Sequence, residues 1–345
     1  TEVISHLIEK FYRGNLEKAV MKALEILEGT FGLAILHQKE PKIIVVKQGS
    51  PWILGIGSQE MLVASDASAI LSHTKKVIYL QDQEMAVLQK DSFSIHNFEG
   101  KKITKEIEEL KWKSGQIEKG GFKHFMLKEI FEQPQAIENT LRGRLVLNEV
   151  KLSLNINLDS IKRIIILACG TSYYSGLIGK HIIEGLSQIP VEVDYASEFR
   201  YRNPLVSQSD LVVVISQSGE TADTLGALNE AKTRGAKALG IVNVVGSTIS
   251  REVDAGIFLH AGPEIGVAST KAFTCQITAL VLLALYFQKR KNIAFSSKFK
   301  KELSNIPFKV QTVLKEAEKI KKIARQFQNV LNFLYLGRGV NFPVA

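Results

Sequence analysis

From Ile161 onward, five short and almost wholly apolar runs alternate with stretches that are long enough to form helices. Uniformly apolar strands are typical of a parallel sheet that is buried on both faces, and the intervening stretches supply the crossover helices. The sequence therefore predicts a doubly wound α/β domain over residues 161–290. Its predicted strands lie at residues 163–168, 191–194, 210–215, 238–242 and 256–259.

The first hundred residues follow a different pattern. Apolar residues at helical spacing predict a helix over residues 17–28. Short apolar runs separated by Gly, Pro and Ser then predict the strands of an antiparallel sheet. We expect a separate α+β module over residues 1–100. Its predicted strands lie at residues 33–36, 43–46, 53–56, 61–64, 77–80, 85–89 and 92–97.

Length and composition indicate a globular chain with more than one domain. At about 150 residues per domain, 345 residues exceed a single core. Hydrophobic residues make up 45% and charged residues 23%, which excludes a disordered or collagen-like chain. Cys169 and Cys275 are too few for a disulfide framework, so we expect free thiols and a cytoplasmic protein.

The net charge of +9 is concentrated in one segment. Between Lys289 and Arg325 the chain has twelve basic and three acidic residues. Nucleic-acid-binding segments usually combine such charge with interleaved aromatic residues or a reading motif, and neither is present here. We expect a basic helical connector over residues 291–330 whose charged face is solvated, with a nucleic-acid patch as the alternative.

Residues 101–160 are predicted to contain a linker as far as residue 121, followed by helices. The first helix is expected over residues 122–142 with an interruption near Pro134, because proline lacks an N–H group and its ring clashes in a helix interior. The uncharged run at 272–288 is shorter than the ~20 residues that span a bilayer. We expect this run to form a buried core helix, and we expect neither a membrane span nor a secretory leader.

The last residues, 331–345, suggest a repeat. The sequence FLYLGRG at residues 333–339 resembles IILACG at residues 165–170, where the α/β domain begins. We interpret the segment as the start of a second copy of that domain, with chance similarity as the alternative. Because the chain begins with Thr1 rather than Met, we expect it to be a fragment that lacks both ends.

Two predicted strand ends carry clusters of hydroxyl and small residues. The first cluster is CGTS at residues 169–172, and the second is SQSGET at residues 216–221. Ligands of doubly wound sheets bind at the carboxyl ends of the strands. Neither cluster has the glycine spacing of a dinucleotide loop or the Lys-Ser/Thr ending of a Walker loop, so we expect no nucleotide cofactor.

The second cluster suits a phosphate group. Ser216, Gln217, Ser218 and Thr221 can all donate hydrogen bonds near the start of the helix that follows. The free N–H groups and the dipole of a helix N-terminus also favour an anion. The alternative is that Ser218 or Thr221 only caps the helix. Four donors within one turn favour a phosphate site over a single cap.

A third cluster, EIGVASTK at residues 264–271, precedes the predicted core helix, and Ser269 or Thr270 is a candidate cap for that helix. We expect Cys169 to serve in packing or backbone contacts, because no His lies near it in sequence to activate the thiol. The seven His residues show no metal-ligand spacing with each other or with either Cys. The sequence therefore predicts no metal.

Together, these motifs closely resemble the glucosamine-6-phosphate synthase family, the isomerising glutamine:fructose-6-phosphate aminotransferases. The resemblance covers essentially the whole chain, and several independent motifs make it specific. It rests on KHFMLKEIFEQP at 123–134, ACGTS at 168–172, ASEFRYR at 196–202, SQSGETADT at 216–224 and EIGVASTKAF at 264–273.

The resemblance implies an N-terminal-nucleophile glutaminase, an α+β sandwich, followed by two sugar isomerase (SIS) domains. Such enzymes pass ammonia from glutamine through an internal channel to fructose 6-phosphate. They make glucosamine 6-phosphate, the first step of hexosamine biosynthesis, without metal or organic cofactor, and they form dimers through the isomerase half. The resemblance implies that Thr171, Ser172, Ser216, Gln217, Ser218 and Thr221 hold the sugar phosphate and that Val267 and Ser269 line the sugar.

The resemblance also places the catalytic groups outside this chain. The family's amino-terminal Cys nucleophile and glutamine-binding residues precede Thr1, although Thr1 itself is an alternative N-terminal nucleophile. The isomerase Glu, the ring-opening His and the Schiff-base Lys lie beyond Ala345. We therefore expect residues 1–100 to be the later part of the glutaminase and the chain to bind fructose 6-phosphate but barely turn it over. A stand-alone SIS isomerase or sugar-phosphate-binding regulator is the alternative.

Overall fold

The computed structural model describes residues 2–110, 118–146, 149–293 and 297–345. The chain divides into two compact units, Thr1–Glu118 and Lys119–Ala345, and each has its own core. The hypothesis of an N-terminal nucleophile at Thr1 lies outside the described residues, as do residues 111–117 of the predicted linker.

The N-terminal unit is a sandwich of two antiparallel sheets and short helices. Its sheets have the strand orders β1-β2-β6-β7-β8 and β4-β3-β5-β9. Its helices are α1 (Glu2–Phe11), α2 (Leu16–Leu24) and α3 (Ala67–Ile70). Its strands are β1 (Phe31–His37), β2 (Glu40–Gln48), β3 (Ile53–Ile56), β4 (Met61–Ala64), β5 (Lys76–Tyr79), β6 (Glu84–Leu88), β7 (Phe93–Asn97), β8 (Lys102–Ile103) and β9 (Glu108–Glu109).

Strand β2 shows how the layers form. Its side chains alternate between the two faces of the sheet, since the strand period is two residues. Ile44 and Val46 are fully buried in the core that includes α1 and α2. Val45 is buried in another core, which joins the two sheets through Leu54 and Ile78. The unit is therefore layered as helices, sheet and sheet, as expected for an α+β sandwich.

The seven strands expected in this unit are all present, but they belong to two sheets rather than one. The segment predicted as a linker also contributes β8 and β9, which pair with β7 and β5. Two-residue strands are too short to show an apolar period, so no sequence pattern indicates them.

The C-terminal unit is built on a parallel five-stranded sheet of order β13-β12-β14-β15-β16. Its strands are β12 (Arg163–Ala168), β13 (Val191–Tyr195), β14 (Asp210–Ser216), β15 (Lys237–Val242) and β16 (Ala255–Phe258), and a hairpin of β10 (Leu145–Val146) and β11 (Glu149–Val150) precedes them. Its helices are α4 (Phe125–Leu141), α5 (Gly170–Ser187), α6 (Ala196–Phe199), α7 (Ala222–Thr233), α8 (Thr248–Glu252), α9 (Lys271–Arg290), α10 (Ser297–Ser304), α11 (Ile306–Leu314) and α12 (Ala317–Gln326).

Helices cover both faces of this sheet, so the prediction of a doubly wound fold is confirmed. Ile164 and Ile166 of β12 face the core that includes α4 and α9. Ile165 and Leu167, on the other face, pack in a second core with residues of α6, α7 and α8. All four strand pairings are parallel, and the five predicted strands match the observed ones to within one residue at either end.

Helix α9 is the buried core helix that the sequence predicted. Fourteen of its twenty residues are buried, including Ala279, Leu282 and Leu283. By length and composition alone it could cross a membrane, but 78% of its most apolar stretch is buried inside the protein. Its hydropathy therefore reflects its place beneath the sheet.

The predicted interruption of α4 near Pro134 is wrong, since the helix runs from Phe125 to Leu141 without a break. Pro134 has no N–H group for the carbonyl of Ile130, four residues earlier. The side-chain amide of Gln133 donates to that carbonyl instead, at 2.9 Å. A neighbouring side chain thus replaces the missing backbone hydrogen bond.

The basic connector is helical, as expected, in its described part, where α10, α11 and α12 follow one another. All residues of α12 except the half-buried Ala317 are exposed, so its charges face water. The segment at 333–338 is exposed and belongs to no strand. The idea that a second domain copy starts here remains a prediction.

An ion pair between half-buried Arg163 and buried Asp210, at the start of β12 and β14, makes the stability of the fold depend on pH. Asp210 is 3% exposed and accepts hydrogen bonds from Arg163 Nε and Nη2, both at 2.9 Å, and from the Ser207 backbone at 2.7 Å. Burial acts to raise the pKa of Asp210, but these hydrogen bonds outweigh it and hold the pKa below its ordinary value. The charged form therefore stabilises the fold.

We expect Asp210→Asn to lower the free energy of unfolding at pH 7 by about 1–2 kcal/mol, because Arg163 loses its buried partner but is a third exposed and keeps its pair with Glu192. A carboxyl with a lowered pKa stabilises above its unfolded pKa of about 3.9 and loses that effect as pH falls through the native value. The deficit of the variant should thus shrink below about pH 4. Urea unfolding followed by circular dichroism measures the free energy of unfolding of each protein at pH 7 and at pH 3. Asp91→Asn, at an exposed site, is the control. An equal deficit at pH 7 and pH 3 would contradict this.

Candidate functional site

The strand order of the parallel sheet creates a crevice between β12 and β14. From β12 the chain crosses through α5 to β13 on one side, and from β14 it crosses through α7 to β15 on the other. The two strands pair up to Ala168 and Ile215, so their carboxyl ends are adjacent. Ligands of doubly wound sheets bind at such a switch point.

The first predicted cluster follows β12 and forms the start of α5. Cys169 is the N-cap residue, but its side chain makes no capping hydrogen bond. Gly170 has a φ of +56°, a conformation that glycine adopts without strain. Thr171 is exposed, and Ser172 is 8% exposed. The N-terminus of α5 thus has no side-chain cap.

The second cluster follows β14 and is held together by Ser216. The Ser216 Oγ accepts from the Gly219 N–H at 2.9 Å and lies 2.9 Å from the Thr221 Oγ1. The Ser218 Oγ accepts from the Glu220 N–H at 3.2 Å. Thr221 is the N-cap residue of α7, yet its side chain makes no capping bond. Neither hydroxyl therefore acts as the helix cap that was the alternative.

Helix α8 supports this second loop. The Glu220 carboxylate accepts from the Thr248 N–H at 2.7 Å, and the Gly219 carbonyl accepts from the Ile249 N–H at 3.0 Å. Gly219 has a φ of +70°, and a Cβ added there would lie 2.0 Å from the Ser247 Oγ. Only glycine satisfies both the backbone conformation and this close approach.

The third cluster precedes α9 and is organised by Glu264. The Glu264 Oε1 accepts from the N–H groups of Thr270, at 2.9 Å, and Ala272, at 3.1 Å. Its Oε2 accepts from the Ser269 hydroxyl at 2.8 Å. The carboxylate therefore caps α9, in place of Ser269 or Thr270, whose side chains were the expected caps. Val267 is fully exposed, and Ser269 is half-buried.

Helix α4 anchors this third loop through two carboxylates. Glu129, 2% exposed, accepts from the Ile265 N–H at 2.6 Å and the Gly266 N–H at 3.0 Å. Glu132 pairs with the buried ammonium group of Lys271 at 2.7 Å. Sequence reasoning missed both roles. The only signal was the spacing of Glu129 and Glu132, which places them on one face of a helix.

A buried side-chain contact joins the first cluster to α9. The Gln276 Nε2 donates to the Ser172 Oγ at 2.9 Å, and Gln276 is wholly buried. The three clusters are thus connected: the first two by adjacent strands, and the first and third by α5 packed on α9. Gln276 was also missed, because nothing in the sequence relates it to Ser172.

The two thiols differ in their surroundings. Burial raises the pKa of Cys275 to about 12, so this thiol stays protonated at neutral pH and is a poor nucleophile. Cys169 is partly buried and packs against the core that includes α6 and α7, in line with the packing role expected for it. Within the described ranges no three His, Cys, Asp or Glu residues are grouped to hold a metal ion, and the absence of a metal stays a prediction.

Comparisons with known proteins show which proteins this chain resembles. A family model described as SIS domain matches residues 157–286. The chain is 50% identical over its full length to the glutamine–fructose-6-phosphate aminotransferase (isomerizing) of Chlorobaculum tepidum and 49% identical to that of Aquifex aeolicus. The chain belongs to this aminotransferase family. It spans 58% and 57% of the length of these two relatives.

One solved structure agrees with the family assignment, and a second agrees with the fold. The C-terminal domain of glucosamine-fructose-6-phosphate aminotransferase from Francisella tularensis superposes with a TM-score of 0.62 at 42% identity, over 66% of each chain. A putative tagatose-6-phosphate ketose/aldose isomerase from Clostridium novyi has a TM-score of 0.51 at 18% identity, over 64% of this chain and 58% of that one, which supports the fold alone. The aminotransferase family and the SIS fold predicted from the motifs are therefore confirmed.

We expect Cys275 to be unreactive in the folded protein. In a Cys169→Ser variant, which leaves Cys275 as the one thiol of the chain, a disulfide reagent at pH 8 should release no chromophore from the native protein and one equivalent in guanidinium chloride. Absorbance measures the release, and the unsubstituted chain serves as the control. Fast reaction of the folded variant would show that the thiol is accessible and ionised.

Proposed function

We propose that this chain carries the fructose 6-phosphate site of a glutamine-dependent aminotransferase that makes glucosamine 6-phosphate. The observation that carries the proposal is the pair of hydroxyls, Ser216 and Thr221, beside two uncapped helix N-termini at the switch point. The names of the full-length relatives support the choice of substrate.

The balance of donors and acceptors favours an anion here. Ser216 and Thr221 have two hydroxyl protons between them, and their mutual bond uses one. The other proton is available to a ligand oxygen, as are the N–H groups that no side chain caps at the starts of α5 and α7. The helix dipole adds about 0.3–1 kcal/mol, and each hydrogen bond to a charged oxygen about 1.5–3 kcal/mol. Several donors together therefore suffice for a phosphate ester.

The start of α9 does not compete for the phosphate. The Glu264 carboxylate already occupies the N–H groups of Thr270 and Ala272 and places a negative charge there. A phosphate is thus directed to α5 and α7. We assign Thr171, Ser172, Ser216, Gln217, Ser218 and Thr221 to the phosphate.

The sugar end is assigned to the third loop. Ser269 donates its hydroxyl proton to Glu264, so its oxygen can accept a hydrogen bond from a sugar hydroxyl. The exposed Val267 side chain supplies an apolar surface for the carbon skeleton. Both residues belong to the loop that Glu129 and Lys271 fix to α4.

The same proposal covers the rest of the protein. The N-terminal unit is the later part of a glutaminase, ammonia reaches the sugar through an internal channel, and the enzyme is a cytoplasmic homodimer that needs no cofactor or metal. Its catalytic groups lie outside these residues, so the chain binds substrate but barely turns over. Neither nucleic acid nor membrane is a partner in this proposal, and the exposed helix α12 is a solvated face.

Calorimetric titration with fructose 6-phosphate tests the proposal. We expect saturable binding by the chain and none of fructose, because the phosphate supplies the anchoring contacts. A Ser216→Ala, Thr221→Ala double variant should bind roughly 10- to 100-fold more weakly.

The matched control is a Ser304→Ala, Thr312→Ala double variant. These two hydroxyls donate only to helix carbonyls in the same unit, so their loss should leave the affinity unchanged. Absence of binding by a folded chain, or equal affinities for the two double variants, would refute the assignment.

A further inference from the structure

Gln276 is a buried polar side chain with an incomplete set of partners. It lies in the second turn of α9 and is 0% exposed. Its amide nitrogen donates to the Ser172 Oγ at 2.9 Å, but its amide oxygen has no hydrogen-bond partner among the residues that the structure describes. Buried amides in cores are normally satisfied at both ends, and an unsatisfied buried oxygen destabilises the fold. Stability alone does not explain a glutamine here.

The contact determines what Ser172 can offer to a ligand. A serine hydroxyl has one proton and two acceptor positions. Because Ser172 accepts from Gln276, its proton is not used in that contact. The backbone carbonyl of Ser172 is engaged separately, by the Ser175 hydroxyl at 2.7 Å. Ser172 therefore keeps its proton for an acceptor.

The direction of the bond matters because a phosphate ester at neutral pH offers acceptor oxygens to its binding site. If the amide accepted from Ser172, the serine proton would be spent, and Ser172 would present only lone pairs to the phosphate. Glutamine is a neutral side chain, so it can donate here without adding a charge to the buried region next to Ser172. This gives the buried amide a function that a hydrocarbon of the same size would lack.

We propose that Gln276 is a positioning residue for the phosphate site, which holds the Ser172 hydroxyl so that its proton is donated to the bound phosphate. The inference rests on the proposed function of this site. Gln276 itself does not touch the ligand and acts through Ser172 alone.

The first test is Gln276→Met, which keeps the length of the side chain and removes the donor. We expect the dissociation constant for fructose 6-phosphate to rise roughly 3- to 10-fold, as for loss of one hydrogen bond. Gln288→Met is the matched control, because Gln288 is also buried on α9, twelve residues further from the site. We expect the control to leave the affinity unchanged, whatever its effect on the melting temperature.

The second test is a double-mutant cycle with Ser172→Ala. If Gln276 acts through the Ser172 hydroxyl, Gln276→Met should have no further effect on affinity once that hydroxyl is absent. An equal loss in both backgrounds would mean that Gln276 acts through packing, and would overturn the proposal.

Gln276→Glu, compared in chains with Ser172 and with Ser172→Ala, separates an effect through the Ser172 hydroxyl from simple repulsion of the phosphate. At pH 8 its carboxylate can only accept from Ser172 and also repels the phosphate, so binding should weaken at least 10-fold. At lower pH the buried carboxyl becomes protonated, its O–H can donate, and the affinity should approach that of the unsubstituted chain. At each pH, the dissociation constant of the Gln276→Glu variant is divided by that of the chain with Gln276. The titration of the substrate phosphate affects both constants and therefore cancels in this ratio. In the Ser172→Ala background only the repulsion remains, so a pH dependence that is no greater with Ser172 than without it would overturn the proposal, including where the Met variant fails to fold.

The binding measurements distinguish failure of the proposed function from failure of the role of Gln276. If the unsubstituted chain does not bind fructose 6-phosphate, the proposed function fails and the role of Gln276 fails with it. The other case is that the unsubstituted chain binds and the Ser216→Ala, Thr221→Ala double variant does not. If Gln276→Met then binds like Gln288→Met, only the role of Gln276 is overturned.

Discussion

The parallel pairing of β12 with β14 is the constraint on which the candidate site depends. Their crossovers run to opposite sides, so the loops that follow them diverge and leave a crevice at the carboxyl edge. Each loop leads into a helix, and the N-termini of α5 and α7 therefore meet beside that crevice. Strand order alone thus concentrates backbone N–H donors at one place. The side chains then decide which of these donors remain free.

Three carboxylates, one buried and two half-buried, determine which backbone donors stay free by occupying the others. Glu264 binds the first N–H groups of α9, Glu129 binds the backbone of the loop before it, and Glu220 binds the start of α8. None of the three is assigned to the ligand. Each fixes a loop and removes a competing anion site, so that the uncapped starts of α5 and α7 are left for a phosphate. Loop rigidity and ligand selection come from the same contacts.

The sequence predicted the fold well wherever burial on both faces produced uniform apolar runs, as in β12 and β14, which were placed to within one residue. It also placed the hydroxyl clusters directly after these strands, because such clusters are local features; their role in binding stays a prediction. What it missed depends on contacts between distant residues. Glu129 meets Gly266 across 137 positions, and Gln276 meets Ser172 across 104. The predicted interruption of α4 at Pro134 was wrong for a related reason. A side-chain amide replaced the hydrogen bond that the proline could not make.

The donors assigned to the phosphate are neutral, and this affects how the site discriminates. The nearest cation along the third loop, Lys271, is buried and paired with Glu132, so it adds little net charge. Hydroxyl and amide donors at fixed positions stabilise a bound ligand only when its oxygens lie at hydrogen-bonding distance from them. An exposed cation, by contrast, attracts any anion within about a Debye length. The hydrogen bond from Gln276 to Ser172 contributes in the same way, because it orients a neutral donor before the ligand binds. Recognition by geometry in place of charge would suit the proposed role of the site, which is to distinguish one sugar phosphate from the many small anions of a cell.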